Sequence, residues 1–211
     1  MKTQIMAVLV AMVAGTAWGR NIEVPMDGRV SVCVQSVPSN EWTSLVMAEG
    51  IAIHMFAGAG VALDWREWNH CPEGGIRITM SLATKPSDHP HAYAYALPYE
   101  GTHIVVFWDR IDNGSSRRIL PYLLAHVLVH EVTHILQGMP RHSETGVMKA
   151  VFRPLEIDQM DFKPLPFTEE DIELIHVGLK NREARMAQGP AQVVAQNTDK
   201  TTAGAVAGTT R

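Results

Sequence analysis

His130, Glu131 and His134 stand in the string HEVTH, inside the segment AHVLVHEVTHIL of residues 125–136, whose other members are mainly Ala, Val, Leu and Ile. Histidines four apart project from one face of a helix, about 6 Å apart along its axis. Two imidazoles at that spacing can meet on a single ion about 2.0–2.1 Å from each nitrogen. Glu131 lies beside that face, close enough to take a proton from metal-bound water without being a ligand. Zinc lowers the pKa of such a water towards neutrality, and a carboxylate then completes the nucleophile. Burying two imidazoles and a carboxylate among Leu128, Val129, Val132 and Ile135 without a metal is expensive. His126 extends the histidine row, but it lies about 12 Å along the axis from His134. One tetrahedral ion cannot hold all three, so His126 reads as a supporting or packing residue.

A catalytic zinc needs a third protein ligand and one open position. His142 is the candidate from spacing. Gly138 ends the helix and lets the chain reverse, and a histidine follows four residues later. Glu156, or a carboxylate near Glu169, is the alternative, as a more distant acidic ligand.

These residues need a scaffold. Residues 30–34 (VSVCV) read as a first strand, and Asn40 as the N-cap of a helix over 41–56 that Gly58 and Gly60 stop. Strands are expected over 61–65, 76–82, 92–97 and 103–108, the last (HIVVFW) apolar throughout and therefore buried. A long apolar helix over 118–137 carries the motif and closes at Gly138. After a proline-rich loop, Thr168 and Asp171 form a capping-box pattern opening a last helix that runs to about Ala187. The order predicts an α+β fold: a small mixed β-sheet with an early helix, the HExxH helix and a C-terminal helix. Residues 20–188 are read as one domain and 189–211, poor in large apolar anchors, as a flexible tail.

The H-E-x-x-H string, the glycine turn, the third histidine followed by Ser143 and the G-x-Met of Gly146 to Met148 together resemble the metzincin clan of zinc endopeptidases. Its small secreted, matrixin-like members are the most similar, and FTEEDIELI resembles the opening of their closing helix. The resemblance implies a zincin-like fold and a methionine turn at Met148, forming an apolar floor under the zinc. It also implies that the strand over 92–97 edges the cleft and receives an extended peptide by strand addition. The spacing departs from the family's pattern: His134 to Gly138 and Gly138 to His142 are four residues each, two residues more in all than usual.

The net charge is -4, with no Lys/Arg run. Nucleic acid, which calls for a basic face, is not expected as a partner. Residues 1–19 have a positive start at Lys2, an apolar run over 5–14 and small residues around Ala17 and Gly19, the pattern of an export signal. The run is short for a membrane span of roughly 20 residues. No stable membrane anchor is expected after its removal, and the chain is expected in the periplasm or outside the cell. In that compartment Cys33 and Cys71 are expected to pair as a disulfide. The function these residues point to is an exported peptidase with one catalytic Zn2+ and a peptide or protein substrate. Two rivals stand beside it: a zinc hydrolase with a downstream glutamate as third ligand, and a non-catalytic secreted zinc-containing binding protein. Retention of Glu131 argues against the second, since a structural zinc has no use for that carboxylate. His89, His91 and His103 match no metal template, and Tyr93 and Tyr95 at period two read as packing.

Overall fold

A computed structural model describes residues 29–35, 37 and 41–202, with side chains described through residue 187. Residues 1–28, where an export signal is expected, Asn40 and residues 203–211 lie outside the described residues. Five strands form one sheet in the order β2-β1-β3-β5-β4: β1 Arg29–Val34, β2 Ala62–Glu67, β3 Ile76–Ser81, β4 Ala94–Ala96 and β5 His103–Phe107. Three of the four pairings are parallel, and β4 alone runs antiparallel, against β5. In β3 the alternation is clean. Ile76, Ile78 and Met80 are buried while Arg77, Thr79 and Ser81 are half-exposed, as a sheet covered on one face requires.

The cover is helical. α1 (Trp42–Gly58) crosses between the parallel strands β1 and β2 and packs on α3 (Leu120–Gln137) through an apolar core. In α3 every residue but Tyr122 is buried. Its stop is local chemistry: Gly138 adopts φ 69°, the left-handed conformation that glycine takes without penalty, and its N–H reaches the His134 carbonyl. α5 (Glu169–Thr202) opens with the expected reciprocal cap, Thr168 N–H to Asp171 Oδ2 at 2.9 Å and Asp171 N–H to Thr168 Oγ1 at 3.1 Å. Its backbone stays helical to Thr202, beyond the expected end near Ala187.

Two short helices were not expected. α2 (Trp108–Gly114) takes Trp108 out of the predicted fifth strand and buries it with Ile111. α4 (Pro154–Gln159) starts on a proline, which the first helical turn tolerates although the sequence reads as loop. The remainder agrees with the expected α+β architecture, and Cys33 and Cys71 are disulfide-bonded.

Candidate metal centre

α3 sets two imidazoles side by side. The His130 and His134 rings stand 4.7 Å apart between centroids and nearly perpendicular. Each Nδ1 meets a backbone carbonyl, Val147 O at 2.9 Å for His130 and Met139 O at 3.1 Å for His134. A carbonyl only accepts, so Nδ1 carries the proton and Nε2 presents a bare lone pair. The two Nε2 atoms lie 3.0 Å apart. Two lone pairs at that distance repel unless a cation lies between their directions, and an imidazole fixed through its other nitrogen is the usual form of a metal ligand.

His142 joins them. Its ring is 5.2 Å from that of His130 and 5.0 Å from that of His134. One ligand atom from each of the three lies within 4.8 Å of the others. Burial holds the His130 ring down to about 4 and the His134 ring, also repelled by His130, to about 3. The His142 ring is lowered too, by desolvation. All three are therefore neutral at physiological pH, which is the form that binds metal. Glu131, next in sequence to His130, is 7% exposed and faces the same cleft. Burial pushes its carboxyl up to about 8. A neighbouring cation would act in the opposite direction and favour the carboxylate.

The loop that carries His142 is held from α5. Asp171 is fully buried, and its Oδ1 accepts from Ser143 Oγ at 2.6 Å and from Arg141 Nη1 at 2.9 Å. Arg141 also pairs with Glu170. Both neighbours of His142 are thus tied to one carboxylate. From the sequence, Asp171 is expected only as part of a helix cap. The capping pattern was the sole signal, and nothing in it points back to residues 141 and 143. Ser143 N–H reaches Met148 O at 2.8 Å, and Met148 is fully buried. Two residues before it, Gly146 has φ 77° and a Cβ there would sit 2.2 Å from Pro166 O, so no other residue fits that turn.

Glu156 and Glu169 are not in the histidine cluster. Glu156 instead caps α4 and pairs with Lys149, and Glu169 is exposed at the start of α5. His89, His91 and His103 belong to no such cluster among the described residues. A cavity of about 710 Å³ lies over the three histidines, bounded on one side by β4 with Tyr93 and Tyr95 and on the other by Lys149 to Phe152.

No protein-family model matches the sequence, and no curated protein matches it. Among solved structures, archaemetzincin from Methanopyrus kandleri has a similar fold, with a TM-score of 0.52 and 16% identity over 74% of this chain and 99% of that one. At that identity the likeness is one of fold, and the fold is zincin-like.

Proposed function

We propose that the chain is a zinc-dependent peptidase in which His130, His134 and His142 hold one metal ion and Glu131 manages the protons of the attacking water. The observation that carries this reading is the convergence of three neutral imidazoles, two with their Nδ1 atoms already committed, beside a buried carboxylate in an open cleft. Three nitrogen ligands suit zinc and leave a position for the reacting groups. Bound there, zinc supplies Lewis acidity and brings the pKa of water towards neutrality. Glu131 accepts the proton as water attacks the scissile carbonyl and returns it to the leaving nitrogen. β4 is an edge strand whose free side borders the cleft. An extended peptide can pair with it, which favours cleavage within a chain over trimming of its ends. Met148, buried below the His142 loop, serves as the floor of the site. The bonded cysteine pair and the signal pattern of residues 1–19 support export. No helix among the described residues is long and apolar enough to cross a membrane.

The test is cleavage of a mixed peptide library by the zinc-loaded protein with Glu131→Ala alongside. The substitution is expected to cost about 10²–10⁴-fold in turnover, the usual contribution of a general base, with one zinc per chain retained. A folded parent that takes up no zinc would overturn the reading. Equal turnover by parent and variant would remove Glu131 from it.

A further inference from the structure

Residues 82–93 join β3 to β4 without a helix or strand of their own, and 85–91 are exposed throughout. Such a stretch buries too little apolar surface to fix its own shape. Two adjacent residues in the first turn of α2 hold it instead. Asp109 takes its start, accepting from Thr84 N–H at 2.9 Å and Thr84 Oγ1 at 2.7 Å. Arg110 takes the rest. Nη1 donates to the carbonyls of His89 at 2.7 Å and Ala92 at 2.8 Å, and Nη2 to those of Asp88 at 2.6 Å and Lys85 at 3.2 Å.

One guanidinium thus collects four carbonyl oxygens, as a bound calcium ion does in other loops. Its carbon lies 4.4 Å above the Phe107 ring. Phe107 leans on Tyr95 of β4 at 5.8 Å, and Tyr95 stacks on His89 at 4.3 Å. Within the loop His89 and His91 adopt φ of 45° and 67°. Left-handed backbone at two non-glycine residues persists only where the surroundings impose it, and the carbonyls held by Arg110 bracket both.

We infer that Arg110 is a positioning residue for substrate: it fixes the loop before β4, and through it the strand edge against which a peptide would lie. Arg110, His91 and Tyr95 all line the cleft. The inference rests on the peptidase reading only for its consequence in turnover. The chemistry stays on α3 and the His142 loop, so loss of the clamp weakens binding of extended peptide and spares the bond-breaking step.

Arg110→Ala and Arg110→Lys are compared with the parent as full-length, zinc-loaded protein. The lysine keeps the charge but cannot fork to four carbonyls. Amide exchange over 85–96 is expected to rise at least about tenfold in both variants, while α3 stays protected. KM for extended peptides is expected to rise about tenfold, with kcat within about twofold and one zinc retained. Unchanged exchange in Arg110→Ala, or full rescue by Arg110→Lys, would overturn the inference. If the parent cleaves no peptide, the exchange data still decide the clamp, and the failure belongs to the peptidase reading. If the alanine variant does not fold, the lysine variant carries the test.

Discussion

His126, His130 and His134 share one face of α3, and their fates differ by what each ring nitrogen meets. His126 is fully buried, with Nδ1 at 2.7 Å from Tyr122 O and Nε2 accepting the Leu165 N–H at 2.9 Å. The lone pair that would bind metal is spent on backbone, joining α3 to the stretch before α5. Burial holds the ring's pKa below its ordinary value, against a smaller opposing effect of the Tyr122 carbonyl. A neutral His126 is therefore favoured by the fold. Its contribution is whole above the unfolded value of about 6.5 and is lost as pH falls below that towards the lowered folded value. In metal-free protein, stability is expected to fall between pH 7 and pH 5, less steeply in His126→Gln, the difference being at most about 1.4 kcal/mol per pH unit for one proton. Denaturant midpoints at the two pH values measure it, and identical slopes would contradict the assignment. The site is legible at this scale to an uneven degree. Helix geometry alone relates His130, Glu131 and His134, so their spacing told the story. The place of His142 depends on Asp171, a residue of another element, and no local pattern records that.

Between elements, the backbone of α5 comes close to the end of α3 at Gly178. A Cβ at Gly178 would lie 1.7 Å from the Leu136 carbonyl oxygen and 2.8 Å from its carbon. In the sequence this glycine is only a weak spot in a helix, costing roughly 1 kcal/mol against alanine. In the fold it is what lets two backbones touch. α5 cannot simply draw back, because Asp171 holds the His142 loop and Arg182 donates to the carbonyls of Gly101 and Gly74. Gly178→Ala is therefore expected to destabilise by about 3 kcal/mol or more, reversing its propensity gain. That corresponds to a melting point lower by roughly 10 °C for a chain of this size. A variant that melts with the parent would mean the helices part at no cost. The long helices and the apolar strands followed from periodicity and caps. The short α2 and α4 did not, since each is fixed by tertiary contacts or a terminal proline rather than by a repeating face.

For the molecule as a whole, element types were readable but the strand order was not. Nothing local dictates that β1 lies between β2 and β3, because each parallel pairing is closed by a crossover distant in sequence. The disulfide fastens this arrangement. Cys33 is fully buried in β1 and is bonded to Cys71 just beyond β2, 38 residues away. Cross-linking a loop of that length is worth up to about 4 kcal/mol in the chain-entropy account. Cys33→Ala with Cys71→Ala is expected to lose up to about 4 kcal/mol of unfolding free energy in denaturant, with zinc affinity kept, since neither residue lines the cleft. A loss of metal affinity matching the loss of stability would place the bond in the site's support after all. The carboxylate of Asp171 also has a consequence in time. A growing chain acquires its helical histidines first and the His142 loop soon after, but the residue that gathers that loop arrives only with the last helix. The three histidines thus gain the carboxylate that holds their loop only after every strand of the sheet has been synthesised, and a chain that stops short of α5 carries the cluster without that tie.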